Sequence, residues 1–151
     1  MQFVDFAPVK LVFGPGRLEA LRTEPLPGTR ALLLTSNGRS MERIGALARV
    51  TAILEERGVA VVHMGVVEPN PMVSTVMKVA ARMKDERCDF LVALGGGSVM
   101  DCAKISAAVS AHSSDTRSGR ILFAAEYMRR RTKYIFMPRT GFRSRPQTEK
   151  R

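Results

Sequence analysis

The chain has 151 residues, of which 45% are hydrophobic and 25% charged, and its formal net charge at pH 7 is +10. This length suits one domain with an ordinary core, and the hydrophobic fraction excludes a disordered chain. No apolar run approaches the about 20 residues that cross a bilayer, so we expect no membrane partner.

The excess of basic residues lies at the C-terminal end. Residues 117–151 contain eleven Lys or Arg and two Glu, a net charge of +9, whereas the preceding residues are nearly neutral. We therefore predict a folded domain over residues 1–111 and a divergent, partly disordered basic tail over residues 112–151. An alternative is a non-enzymatic protein whose tail binds nucleotides or nucleic acid. Because the basic residues lie outside the pattern that predicts a fold, a solvated tail is preferred and nucleic acid is disfavoured as a partner.

Short apolar runs alternate with helical patterns along residues 1–111. Strands are predicted at Lys10–Gly14, Arg30–Thr35, Val59–Gly65 and Phe90–Leu94. The alternation and the long crossovers predict an α/β fold, with a parallel sheet, helices on both faces and an irregular basic C-terminal tail. Within the tail, the pattern indicates a short helix at "ILFAAEYMRRR" and a strand at "KYIFM".

Three helices are predicted between and after these strands. The first spans residues 40–58, and its apolar face consists of Met41, Ile44, Leu47, Val50 and Leu54. The second has Asn70 as its N-cap and Pro71 as its first helical residue. Its apolar face consists of Val73, Val76, Met77, Ala80 and Met83. The third, "SVMDCAKISAAVSA", is apolar nearly all round, so we expect it to pack deeply.

Three consecutive glycines, Gly95, Gly96 and Gly97, follow the last of these strands directly. In a parallel α/β sheet, ligands bind beyond the carboxyl ends of the strands. Glycines leave no Cβ between an anion and the unpaired N–H groups at the start of the next helix, where Ser98 adds a hydroxyl donor. The pattern therefore favours a phosphate or pyrophosphate site over a simple turn. It is not the G-x-G-x-x-G dinucleotide fingerprint, which has a different spacing.

Asp101 and Lys104 follow in the same predicted helix. Asp101 lies three residues after Ser98, which is the spacing of a capping box, and contact with a ligand is the other interpretation. Lys104 lies one turn further on, where it can reach a phosphate or pair with Asp101. Both alternatives stay open for each residue.

The stretch "NPMVSTVMKVAARMKDERCDFLVALGGGSVMDCAK" resembles the iron-containing alcohol dehydrogenases, part of a wider group that includes glycerol dehydrogenase and dehydroquinate synthase. The matching pieces are "KLVFGPG" (Lys10–Gly16), "LLLTSNGRSM" (Leu32–Met41), "VVEPNP" (Val66–Pro71) and "CDFLVALGGGS" (Cys88–Ser98). They cover roughly residues 3–110 in order. "VVEPNP" and the serine after the glycines fit the alcohol dehydrogenases better than a dehydroquinate synthase.

The resemblance implies a Rossmann-like N-terminal domain that binds NAD or NADP, of which residues 1–111 are an incomplete version. In the family a helical C-terminal domain follows and holds a divalent metal, iron or zinc. Family members interconvert alcohols with aldehydes or ketones by hydride transfer. Gly95, Gly96, Gly97 and Ser98 match the loop that holds the pyrophosphate, and Asn70 and Asp101 match further positions on the cofactor side. We therefore expect the NAD(P)-binding half of an oxidoreductase, with a homo-oligomer left open.

Ser36 stands where NAD-using family members often have an aspartate that binds the adenosine ribose. A carboxylate would repel a 2′-phosphate, whereas serine would not, and Arg39 or Ser40 could bind that phosphate. We therefore hypothesise that the chain prefers NADP to NAD. A plain polar turn that caps the next helix is the equal alternative.

The family's metal ligands, one aspartate and three histidines, belong to the C-terminal domain. This chain has two histidines, of which His63 lies in a predicted strand and is interpreted as a core or edge histidine, and His112 lies where the resemblance ends. We therefore expect neither a metal site nor a catalytic residue, and a truncated chain that is inactive. Cys88 and Cys102 show no metal or redox spacing and no secretory signal is visible, so we expect free thiols and a cytoplasmic protein.

Overall fold

The computed structural model describes residues 9–13, 16–112, 120–126 and 133–138. Within these residues six strands form one sheet in the order β1-β6-β5-β4-β2-β3. The strands are β1 (Val9–Phe13), β2 (Arg30–Ser36), β3 (Ala60–Val67), β4 (Phe90–Leu94), β5 (Arg120–Glu126) and β6 (Lys133–Pro138). The helices are a 3₁₀ helix (Arg17–Arg22), α1 (Ser40–Arg43), α2 (Ala46–Glu56), α3 (Val73–Asp85) and α4 (Gly97–His112).

The predicted parallel sheet is confirmed for its larger part, because β3, β2, β4 and β5 run parallel to one another. The remaining edge differs, since β6 lies antiparallel to both β5 and β1. Only residues 127–132 separate β5 from β6. A parallel connection needs a crossover of about a dozen residues or more, so the chain can return only in the antiparallel direction.

Two strands lie within the predicted tail. The strand prediction at "KYIFM" is confirmed by β6, whereas the helix prediction at "ILFAAEYMRRR" is wrong for residues 121–126, which lie in β5. The run of Ile, Leu and Phe suits a strand, and β5 extends the sheet by pairing with β4. The division of the chain at residue 111 stays a prediction, and most of the tail lies outside the described residues.

The core lies on both faces of the sheet, as predicted. Residues 31–35 of β2 are all buried, and alternate side chains enter opposite clusters. Leu33 packs with the 3₁₀ helix and α2 on one face, whereas Leu32 and Leu34 pack with α3 and α4 on the other. A strand covered on both faces is apolar throughout, which explains the continuous apolar run.

The helix predicted over residues 40–58 is broken at Gly45. Gly45 has a φ of +74°, and its N–H donates to Glu42 O at 2.9 Å, so it ends α1 and precedes α2. Ile44 was predicted in the apolar face, but the turn leaves 47% of it exposed. The α2 face that enters the core is Ala46, Val50, Ile53 and Leu54.

The predicted start of α3 is also wrong. The helix begins at Val73 with Met72 as its N-cap, and Asn70 has a φ of +55° in the preceding loop. The apolar face is rotated relative to the prediction, because Thr75 and Val79 are buried, whereas Val73 and Met77 are exposed.

Candidate functional site

A cleft of about 300 Å³ lies at the carboxyl edge of the parallel strands. Three segments line it: residues 36–38 at the end of β2, residues 67–69 at the end of β3, and residues 96–99 at the start of α4. This is the edge at which ligands bind in open α/β sheets. The cleft therefore brings together Ser36, Gly96, Gly97 and Ser98, which the sequence predicted as site residues.

The ends of β2 and β3 form one wall of the cleft. The register between the two strands shifts after Thr35, so that Ser36 pairs with Val67. The Asn37 N–H then donates to Val67 O at 2.9 Å, and the Ser36 hydroxyl donates to Gly38 O at 3.3 Å. This hydrogen bonding fixes a turn at the end of β2 and holds it against the chain that leaves β3.

The three glycines have different surroundings. A Cβ on Gly95 would lie 2.7 Å from Val99 Cγ2, so the packing of α4 on β4 requires glycine there. A Cβ on Gly96 or Gly97 would have no heavy atom within 4 Å. Neither Gly96 nor Gly97 is among the residues with a positive φ. Neither backbone conformation nor packing within the described residues therefore explains these two glycines, whereas a group that approaches the backbone from the cleft would.

Helix α4 begins at this point. Gly96 O accepts hydrogen bonds from the N–H groups of Val99 and Met100, each at 3.1 Å, and so Gly96 is the N-cap. Within the described part of the chain, no backbone carbonyl is found for the N–H groups of Gly97 and Ser98. These groups lie at the positive end of a 16-residue helix and border the cleft. They can accommodate an anion with no side chain in the way.

The other three predicted site residues, Asn70, Gly95 and Asp101, are not among those that line the cleft. Because α4 begins at Gly97, Ser98 lies inside the helix and the predicted capping box with Asp101 does not form. Asp101 instead pairs with Lys104 at 3.2 Å, the alternative that the sequence left open. A cofactor contact by Asp101 or Asn70 stays a prediction.

Glu68 lines the cleft but was not predicted as a site residue. Its Oε1 accepts the Met72 N–H at 3.0 Å and the Thr75 hydroxyl at 2.7 Å, and it thereby caps α3. The bond from the Met72 amide, followed by that from Thr75, holds the pKa of Glu68 below its usual range. A carboxylate directly after a strand was the signal that could have identified it.

The residues considered as metal ligands or thiols have other surroundings. His63 lies on the edge strand β3, and its Nε2 is 2.9 Å from Thr35 Oγ1, as expected of an edge histidine. Cys88 and Cys102 are buried free thiols, and burial raises the pKa of each. In the described ranges, no three His, Cys, Asp or Glu side chains gather as metal ligands would. The described residues therefore do not fit a metal site.

Comparison with known proteins identifies a family. The model for iron-containing alcohol dehydrogenases matches residues 8–140. A probable NADH-dependent butanol dehydrogenase 2 of Bacillus subtilis is 44% identical over 106 residues, which are 70% of this chain and 27% of that protein. The NADPH-dependent aldehyde reductase YqhD of Escherichia coli is 36% identical over 103 residues, which are 68% of this chain and 26% of that protein.

Solved structures agree with the sequence matches. An archaeal alcohol dehydrogenase from a Red Sea brine pool superposes with a TM-score of 0.67 at 34% identity, over 74% of this chain and 33% of that one. The NADH-dependent butanol dehydrogenase A of Thermotoga maritima gives a TM-score of 0.67 at 30% identity, over 77% of this chain and 29% of that one. The chain thus spans about a third or less of these relatives. No helix in the described residues is long and apolar enough to cross a membrane.

Proposed function

The chain belongs to the iron-containing alcohol dehydrogenase family, and we propose that it supplies the part of such an enzyme that binds a nicotinamide dinucleotide, NAD or NADP. Its relatives include enzymes named for NADH and others named for NADPH. The nucleic-acid alternative has no support from any of these comparisons, and the basic tail on which it depends lies mostly outside the described residues.

One observation carries the proposal. Gly96 and Gly97 have open space where their side chains would lie, and that space borders the cleft. In the described part of the chain, the N–H groups of Gly97 and Ser98 have no backbone partner. A pyrophosphate seated there would accept from these donors and be stabilised by the helix dipole, while any side chain at positions 96 and 97 would obstruct it.

The other residues in or beside the cleft are given roles from where they lie relative to the proposed pyrophosphate. Gly95 lets α4 start close to β4, and the Ser98 hydroxyl adds a donor at the pyrophosphate. We assign the turn that contains Ser36 and Gly38 to the adenosine ribose, because this turn lines the same cleft as the start of α4. A bound nicotinamide would supply the hydride acceptor or donor for the interconversion of an alcohol and an aldehyde in the complete enzyme. The chain's own contribution is to bind and orient the dinucleotide.

No described residue is assigned to the chemical step. The family name implies iron, and the described residues do not fit a metal site. We therefore propose that substrate polarisation depends on residues outside the described part of the chain, and that the 151-residue chain binds dinucleotide with little or no turnover. Small alcohols or aldehydes are the proposed substrates of the complete enzyme.

Calorimetry with NAD, NADP and ADP tests the proposed function, each titrated with and without ferrous iron or zinc. We expect heat of binding for the dinucleotides and for ADP, which carries the same pyrophosphate, and no dependence on metal. Absence of binding for all three nucleotides would contradict the proposal. Tight metal binding by the chain would contradict the assignment of the metal site to other residues.

A further inference from the structure

Glu68 lines the same cleft as Ser36, whose turn is proposed to hold the ribose. Glu68 directly follows Val67, and Val67 is paired with Ser36 on the neighbouring strand. Adjacent strands are about 4.8 Å apart, so Glu68 is one strand spacing and one residue away from Ser36. Both residues line the same cleft. Where the family often has an aspartate on β2, this chain has serine on β2 and a carboxylate on β3.

The carboxylate is fixed in position. The Met72 N–H at 3.0 Å and the Thr75 hydroxyl at 2.7 Å both donate to Oε1. Thr75 is itself buried against the core, so this anchor does not move freely. The same two donors lower the pKa of Glu68, which keeps the group ionised at neutral pH. A ligand that enters the cleft therefore meets a negative charge, and the Glu68 side chain can turn away from it only by breaking these two hydrogen bonds.

The positive charge of Lys78 acts on the Glu68 carboxylate and offsets it in part. Within the described residues, no Lys, Arg or His nitrogen forms an ion pair with Glu68, whereas Arg39, which the sequence analysis considered for a 2′-phosphate, pairs with Glu42 at 3.1 Å. The Arg39 side chain is 82% exposed. A 2′-phosphate near Ser36 would thus stand close to a fixed anion and reach Arg39 only by competing with Glu42.

We propose that Glu68 is a specificity-determining residue whose carboxylate disfavours the 2′-phosphate of NADP and tolerates the ribose hydroxyls of NAD. This proposal rests on the proposed dinucleotide site. It opposes the tilt towards NADP that Ser36 alone suggests, because the charge missing from the end of β2 is supplied by the chain after β3. Repulsion between like charges in a partly solvated cleft is expected to shift the binding ratio by about threefold to tenfold.

Glu68→Gln tests the proposal in the full 151-residue chain. Glutamine keeps an oxygen that can accept from Met72 and Thr75 but removes the charge. We expect the ratio of NADP to NAD affinity, measured by calorimetry, to rise about threefold to tenfold. Glu68→Ala, which loses the charge together with both bonds, must shift the ratio in the same direction. Circular dichroism confirms that each variant is folded.

Two control variants separate charge at the site from other effects. Glu55→Gln removes one negative charge from the exposed surface of α2, away from the cleft. Thr75→Val removes one bond to Glu68 and leaves its charge. Neither control is expected to change the NADP to NAD ratio by more than about twofold. An equal shift in Glu55→Gln and Glu68→Gln would overturn the proposal, because general charge would explain it.

The two proposals fail in different ways. If the unaltered chain binds NAD and the ratio is unchanged in Glu68→Gln and Glu68→Ala, the role of Glu68 is refuted while the dinucleotide site stands. If the unaltered chain binds neither NAD nor NADP, both proposals are refuted.

Discussion

Val99 fills the space that a side chain on Gly95 would need, since a Cβ there would lie 2.7 Å from Val99 Cγ2 and 3.1 Å from its Cβ. Gly95 is buried, and Val99 is only 2% exposed in the cluster beneath α4. The contact sets how closely α4 approaches β4. It therefore sets where the N–H groups of the helix meet the cleft.

Gly95→Ala is expected to lower the free energy of unfolding by about 1–3 kcal/mol, the usual cost of overpacking a core. Denaturation with urea measures it. Combining Gly95→Ala with Val99→Ala should recover part of the loss, because the clash lies between these two residues. Purely additive losses in the double variant would contradict the contact.

Asp89 ties the loop before β2 to the start of β4, and its removal should also destabilise the fold. Its Oδ2 accepts the N–H groups of Thr29 at 2.7 Å and Arg30 at 2.9 Å. Asp89→Ala leaves both donors without this acceptor and should cost about 1–3 kcal/mol. Thermal unfolding followed by circular dichroism measures the change. Asp85→Ala, at the exposed end of α3, is the control and should have little effect. Equal stability of the two variants would refute the role of Asp89.

Glu68 should make the free energy of unfolding depend on pH in the acid range. Its pKa is lowered in the folded chain, so its contribution is complete above the pKa of an unfolded glutamate and is lost as the pH falls through the folded value. The difference in unfolding free energy between the unaltered chain and Glu68→Gln should therefore shrink as the pH is lowered from neutral into that acid range. Urea denaturation at several pH values measures this difference. A difference that stays constant would contradict the hydrogen-bonded carboxylate.

Cys88 and Cys102 should resist thiol reagents in the folded chain. Both are buried, and burial raises the pKa of each thiol, so little reactive thiolate is present at neutral pH. We expect labelling by a disulfide reagent to be slow for the native chain and to reach two thiols per chain once denaturant is added. Rapid labelling without denaturant would show that the helices do not cover these residues.

The sequence predicted those features that depend on local pattern. Apolar runs located β2 to β4, and the glycines after Leu94 located the corner at which α4 begins. The break at Gly45 was missed because the apolar spacing continues across it, and a single glycine inside a helical pattern is tolerated. Asn70 was preferred as a cap on propensity, whereas the cap is supplied by Glu68 from the end of β3, a tertiary relationship that no short window contains.

The structure of β5 also depends on a tertiary contact that a short stretch of sequence does not contain. Residues 120–126 are apolar enough for a helix or a strand, and pairing with the free edge of β4 decides between them. The site was likewise only partly predictable. Gly96 and Ser98 follow from chain order, but Glu68 enters the cleft only because β3 lies beside β2 in the folded sheet.

Gly96→Val tests the central claim most directly. The structure has no heavy atom within 4 Å of a Cβ at position 96, so the variant should keep its fold, while the valine side chain covers the helix N–H groups. Ala81→Val, on the exposed surface of α3, is the matched control. We predict by calorimetry that Gly96→Val lowers NAD and NADP affinity at least about tenfold, with Ala81→Val unchanged. A folded Gly96→Val chain that binds both nucleotides as tightly as the unaltered chain would contradict the claim that this corner holds the pyrophosphate.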